Sequence, residues 1–322
     1  MGGTSHLAPR RALAFAALAA AGSLWGTGFL FGKVALAEMG VGHMVLYRFL
    51  FACIGLLPVL VRHPVRIRRS DVRVFLFAAV IGVPVQFLVQ FEGLNRTTVS
   101  HASLMVGTMP VLLALGATLF TGERLDRTGW LVLTASTMGA ALIAVGARSS
   151  GGVGAGPTWQ GDLLVIASLT AAVAWVLTSK RLMTTYPPVV ATAYVLILGT
   201  VFLAAWVFLV DGPPPTTLSS RAWLSLAALG LLSTTSTTLL WNWGLSRVPA
   251  SEAGVFVNLE PVVGAVLGVG LLHEVLGPLA LAGGGLIIGA AIVLAARPDA
   301  KPQSRILENG GRPHAQGATE DL

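Results

Sequence analysis

Glu260 lies about ten residues into an uninterrupted apolar run, residues 251–272. At helical rise that is roughly 14 Å from the run's start, near the middle of a bilayer. A carboxylate there must face water, find a partner or carry a proton. Two roles fit: a protonatable group that couples solute movement to a proton, or a structural carboxylate hydrogen-bonded across a helix bundle and idle in any cycle. Its counterpart in the first half of the chain is Met109, which excludes a symmetric carboxylate pair. Arg48 sits about seven residues into another apolar run, 42–61, and Glu92 near the end of the next, 73–94. An ion pair between them would lock two helices, whereas a free Arg48 would offer its planar fork to a solute carboxylate. Gln86 and Gln90 share one helical face with Glu92 nearby, and a polar stripe of this kind suits the wall of a solute cavity. Trp25, Trp175 and Trp241 are candidates for its aromatic walls, or for cation–π contact with an amine; packing and interfacial anchoring are the competing uses. His101, Tyr194, Ser236 and Asn258 could contact solute or serve as interhelical hydrogen-bonding groups. Pro110 and Pro261 fall in mid-run and predict either hinges or static kinks. Glu123 and Glu274 close apolar helices, where negative charge opposes the helix dipole. They are gate candidates, with Arg124, Arg127 or a neighbouring loop as partner, unless they are merely solvated ends.

The elements that must place these groups are apolar runs of about 20 residues, the length that crosses roughly 30 Å of hydrocarbon. Ten are expected, near 12–32, 42–61, 73–94, 99–121, 127–146, 161–180, 188–210, 221–243, 251–272 and 277–296. The composition requires lipid: 54% of residues are hydrophobic, 11% are charged and the mean hydropathy is +0.78, too little polar surface to cover a soluble globule of this length. The net charge of +7 does not point to nucleic acid, because the basic residues sit in short connections and form no basic and aromatic patch. Cys53 is alone and lies inside an apolar run, which fits a passive packed side chain. The first run follows Arg10 and Arg11 and contains AALAAAGS, a pattern a cleaved signal peptide also shows, but its removal would destroy the match between halves.

That match is carried by Gly93 to Leu125, which recurs without a gap 151 residues later as Gly244 to Leu276. Eleven of the 33 positions are identical, among them Arg96/Arg247, Ser100/Ser251, Pro110/Pro261 and Glu123/Glu274. The same offset carries Gln86, Gln90 and Glu92 onto Thr237, Trp241 and Trp243, so both halves present polar or amphipathic groups at one depth. Five crossings per half return the chain on the opposite face, so the second copy must run inverted, as in many secondary transporters. Sixteen Lys and Arg then fall on the side of the amino terminus and four on the other, which predicts that both termini are cytoplasmic. The expected organisation is a cytoplasmic segment 1–11, a first repeat 12–146, a linker 147–160, a second repeat 161–296 and a disordered cytoplasmic tail 297–322. The fold class is an all-α integral membrane protein of the plasma membrane, with ten helices in two inverted five-helix repeats.

Trp25-Gly26 followed by Lys33, Arg48 early in the second span, and the helix from Pro110 ending in Gly-Glu-Arg-Leu, matched by Glu260-Pro261 to Glu274, resemble the EamA-type members of the drug/metabolite transporter superfamily. The resemblance covers residues 12–296 and departs where His273 replaces Gly122 before the paired glutamates. It implies a bundle whose halves enclose a central cavity and move amino acids or related small solutes, often outward. The residues themselves fit a secondary carrier working by alternating access, with Glu260 the candidate for proton coupling; export is the direction the resemblance implies. The rival class is a membrane enzyme acting on a lipid-linked substrate. No HExxH, paired metal-binding aspartates or nucleophile with an adjacent base appears for that role, nor a GxxxxGK[ST] loop for ATP. Neither a cofactor nor a metal is called for; the expected partners are a small solute, protons and the bilayer, with monomer and homodimer both compatible.

Overall fold

The computed structural model describes residues 7–62, 65–96, 106–123, 125–146, 159–272 and 278–296, and all of its regular elements are helical. In chain order they are α1 (Leu7–Leu36), α2 (Val41–Arg62), α3 (Val72–Val80), α4 (Gln86–Arg96), α5 (Met109–Thr121), α6 (Arg127–Gly146) and α7 (Trp159–Leu182). There follow α8 (Pro188–Val210), α9 (Ser220–Gly230), α10 (Thr237–Leu245), α11 (Ala250–Ala253), α12 (Leu259–Leu272) and α13 (Pro278–Ala295). Among the described residues five helical stretches are long and apolar enough to cross a bilayer: Val41–Val59, Val72–Gly93, Trp159–Leu182, Pro188–Val210 and Ser220–Leu245. Large apolar side chains such as Leu119, Phe120 and Leu209 stand exposed on the outer surface, as a lipid-facing bundle requires.

Packing follows the internal duplication. Helix α1 lies against α9, α10 and α12 of the other half, while α7 lies against α3, α4 and α5. The self-matching pairs are α2 with α8 and α6 with α13. Exchanging the halves therefore reproduces these contacts, which join one half to the other.

Two wide turns break the long helices at equivalent points. A π-helical turn at Ile81–Val85 joins α3 to α4, and another at Leu231–Ser236 joins α9 to α10, 150 to 151 residues later. The first contains Pro84, whose missing N–H removes one helical bond and favours a wider path. The second is a hydroxyl run in which Thr234, Thr235 and Ser236 each donate to the carbonyl five residues back, at 2.9, 3.2 and 3.0 Å. Those bonds take up carbonyls that an ordinary α-helical turn would bond through the backbone. Turns of this type concentrate at functional sites.

Candidate functional site

The second π turn organises the interior. Thr234 Oγ1 spends its proton on Leu229 and accepts from Arg48 Nε at 2.7 Å. Beside it, Ser233 Oγ meets Thr27 Oγ1 of α1 at 2.9 Å. Arg48 is buried, its guanidinium carbon 4.7 Å from the Phe87 ring centroid and 5.8 Å from that of Phe49, so two aromatic faces hold the cation in place. The expected Arg48–Glu92 pair does not form. Glu92 is bound by Arg96 at 2.7 Å on the same helix, both side chains about half exposed. A partner one turn away costs no helix rearrangement, and Arg48 is already fixed by the π turn.

Glu260 stands in the first turn of α12, just past a 3-10 segment at Gly254–Asn258. The neighbouring Leu259 and Phe256 press on Gly22 of α1. Trp25, one turn along α1 from Gly22, packs against Trp241 with ring centroids 5.1 Å apart. Glu260 is half-buried and keeps part of its surface accessible. Its charge and that of Arg48 act on each other without a direct ion pair.

Trp175 packs over Gly82 in the first π turn, where an added Cβ would fall 2.2 Å from the indole. Its Nε1, the Nε1 of Trp241 and the Oε1 of Gln86, one turn beyond Gly82, are buried and lack hydrogen-bond partners among the described residues. Orphaned groups of this kind cost free energy unless water or solute satisfies them. Gln90 is half-buried on the same helix. A crevice beside Trp175, lined also by Ser179, Thr192 and Asn242, is too narrow for a water molecule and is lined by neither Arg48 nor Glu260. The polar cluster, and not the crevice, is the candidate site.

Several expected site residues do other work. Asn258 Nδ2 donates to Ser136 Oγ at 3.0 Å and ties the 3-10 segment to α6. Tyr194 donates to the Val65 carbonyl at 3.2 Å, and Ser236 back-bonds within its own turn. Thr237 likewise back-bonds to Ser233 and Thr234. Trp243, expected on the cavity wall, stacks under Arg247 at 3.8 Å at the end of α10. Pro110 and Pro261 do not bend continuous helices. Each sits in the first turn of a helical segment, α5 or α12, just after a break in the span, where a proline's missing donor is harmless. His101, Arg124 and Glu274 lie outside the described residues.

Glu123 finds a partner other than those expected. Gly122 adopts φ 71°, ends α5 and turns the chain so that Glu123 receives Lys180 Nζ of α7 at 2.6 Å. The other carboxylate oxygen accepts from Ser251 N and Oγ at 3.2 Å, and Lys180 also donates to the Val248 carbonyl at 3.0 Å. Three helix ends from both halves are thus latched on the face that carries the amino terminus. Arg11 and Glu252 add a 2.9 Å pair on that face. Burial alone would raise the Glu123 carboxyl, but Lys180 and the donors at Ser251 and Ala250 outweigh it, and its pKa falls below the ordinary value. A depressed carboxyl stabilises the folded state above its unfolded pKa, about 4.3, and that contribution fades as pH drops through the lower folded value. The latch is therefore unchanged between pH 5 and 8 in round terms. Lys180→Met is expected to lower unfolding free energy by about 1–3 kcal/mol, with most of it recovered in Lys180→Met/Glu123→Gln, since the cost is chiefly that of a stranded carboxylate. Additive losses in a thermal-unfolding cycle would show that the two side chains do not act as a pair.

A sequence profile of the EamA-like transporter family matches residues 12–145 and 159–296. The chain belongs to the EamA-like transporter family. EamA membership makes this a multi-pass membrane transporter and removes the enzyme alternative. An uncharacterized transporter of Archaeoglobus fulgidus is 28% identical over 78% of this chain and 86% of its own length. The uncharacterized transporter YetK of Bacillus subtilis is 24% identical over 90% and 89%. A probable terminal-alkyne amino-acid exporter of Streptantibioticus cattleyicolor is 28% identical over 84% and 89%. A crystal structure at 21% identity superposes with a TM-score of 0.74, covering 88% of this EamA chain and 96% of the other, a likeness that speaks to fold alone.

Proposed function

We propose that the protein is a secondary carrier that exports an amino acid or related small organic solute by alternating access, with proton coupling through Glu260. The observation that carries this reading is a cation and an anion within the spans, Arg48 of one half and Glu260 of the other, whose charges act on each other without a direct ion pair. A solute between them would satisfy groups the protein leaves unsatisfied. Ten crossings in two inverted repeats, both termini cytoplasmic, are the topology that the duplicated unit, the odd span number and the basic-residue asymmetry support. The exchange symmetry of helix packing and the matched π turns agree with it. In this topology the Glu123–Lys180–Ser251 latch closes the cytoplasmic side and must part for solute to enter. Arg48 is the charged group whose field acts on Glu260, so a proton taken up or released there also changes how strongly Arg48 is neutralised.

The test is solute flux from proteoliposomes loaded with a mixture of amino acids, under an imposed pH gradient. Efflux of a subset, faster with the gradient than without, is the expected result. No gradient effect on any amino acid would sink the coupled-export reading.

A further inference from the structure

We propose that the segment joining α2 to α3 is a docking platform for anionic phospholipid headgroups of the leaflet beside it. Arg62, Arg66, Arg68, Arg69 and Arg73 fall within twelve residues, where one membrane-length stretch, Val41–Val59, gives way to the next, Val72–Gly93, and all five are exposed. Among the described residues none of them is in an ion pair. Val65 and Ile67 pack inward on the core, while Arg66 and Arg68, alternating with them, face out. The other half of the chain fixes this arrangement. Tyr194 of α8 donates to the Val65 carbonyl at 3.2 Å. Tyr186, between α7 and α8, donates to Asp71 Oδ2 at 2.6 Å and accepts from Arg68 N at 3.1 Å. Phe75 of α3 meets both rings edge-on, with centroids 5.2 and 6.2 Å apart. Asp71, the one acid in the stretch, is taken by Tyr186 and by Ser70 Oγ at 3.2 Å and pairs with no arginine.

The duplication supplies an internal control, because residues 210–221 stand 148 positions after 62–73 and are strapped in the same way. Tyr47 donates to the Pro215 carbonyl at 2.8 Å, as Tyr194 does to Val65. Glu38 accepts from Ser219 N at 2.9 Å and from its hydroxyl, at the place where Tyr186 takes Asp71. Tyr47 meets Trp223 edge-on at 5.0 Å, as Tyr194 meets Phe75. Yet in this second copy Arg221 and Asp211 cancel, whereas in the first the five arginines less Asp71 leave four positive charges. The scaffold therefore forms without Arg62, Arg66, Arg68 and Arg69, and what those four add is charge. Four or more cationic side chains beside a span attract anionic headgroups, each contributing roughly fivefold in affinity. Guanidinium also matches a phosphate bidentately. A segment already tied down loses less freedom on binding than a loose basic tail would. A zwitterionic headgroup carries its own cation and gains little from the same surface.

The experiment counts, by native mass spectrometry, phosphatidylglycerol and phosphatidylcholine of identical acyl chains bound to the full-length chain in neutral detergent. From an equimolar mixture the native chain is expected to hold phosphatidylglycerol about tenfold or more over phosphatidylcholine, and added salt should shrink that preference. Arg66→Gln/Arg68→Gln/Arg69→Gln should bring the two lipids near parity. Arg66→Lys/Arg68→Lys/Arg69→Lys, which keeps the charge, should retain most of the preference, and Arg221→Gln in the matching segment should leave it within about twofold. A photoactivatable phosphatidylglycerol added to the native chain should label residues 62–73 well above 210–221, a readout that stands even if the triple glutamine variant does not fold. Glycerol 3-phosphate, the headgroup without its acyl chains, should not displace the lipid. A native chain with no preference, a preference unchanged in the triple glutamine variant, or label spread evenly over both segments would overturn the proposal and leave the arginines as signals of orientation alone. Displacement by glycerol 3-phosphate would overturn it in favour of a soluble phosphate ligand.

Discussion

Glu260→Gln is expected to abolish gradient-driven solute transport, lowering it about tenfold or more to the rate seen without a pH gradient, while exchange of labelled for unlabelled solute at saturating concentration persists. Among the described residues Glu260 is the one carboxylate in the middle of a span; the other acids sit near helix ends or in connections. Glutamine keeps the size and hydrogen-bonding capacity of the side chain but cannot exchange a proton or hold a negative charge. Exchange needs only that the site bind and reorient, whereas accumulation needs the proton step. The variant also leaves Arg48 without its opposing charge, so some weakening of solute affinity is expected; saturating solute separates that effect from coupling. Glu260→Asp, which keeps the charge on a shorter stem, should retain a gradient response. Gradient-driven flux undiminished in Glu260→Gln would assign the coupling to another group and leave Glu260 a structural carboxylate.

Among the described residues the runs 42–61, 73–94, 161–180, 188–210 and 221–243 are legible as spans because apolar run length maps directly onto bilayer thickness, and the helix ends fall within a few residues of them. Arg48 and Glu260 were legible as interior charges for the same reason: burial by lipid depth needs no knowledge of neighbours. What could not be read was which neighbour each group meets. Helices such as α8 are apolar nearly all round, so their sequence carries no preferred face, and one residue of rotational offset turns a side chain by about 100°. Position along the chain accordingly pairs Glu92 with Arg48 where Arg96 on its own helix holds it, and gives Glu123 nearby arginines where Lys180, 57 residues away, holds it. Asn258 was legible as a polar interior residue but not as the partner of Ser136. The second π turn has a signal in the sequence. Six consecutive hydroxyl residues, Ser233 to Thr238, inside an apolar span are more than solvation requires, and three of them supply the bonds that hold the wide turn open.

Gly22→Ala is expected to destabilise the protein by about 3 kcal/mol, at the upper end of overpacking costs, and Gly22→Val to prevent folding. A Cβ at Gly22 would lie 2.1 Å from the Phe256 carbonyl oxygen and 3.4 Å from Leu259 Cβ. The obstacle is backbone, so no side-chain rotation relieves it; α1 and the 3-10 segment before α12 would have to separate. That separation would also pull apart the Phe15–Phe256 stack, whose rings are 5.3 Å between centroids, and shift Glu260 relative to Trp25. Gly285→Ala in α13 supplies the contrast. Nothing stands within 4 Å of its added Cβ, and alanine is favoured over glycine inside a helix by about 1 kcal/mol, so its unfolding midpoint should stay level or rise. Because the Gly22 contact joins the first helix of one half to the span that bears Glu260 in the other, a partly folded Gly22→Ala protein should lose solute binding along with stability. A Gly22→Ala midpoint equal to that of Gly285→Ala would mean that α1 and the 3-10 segment before α12 do not meet at this point.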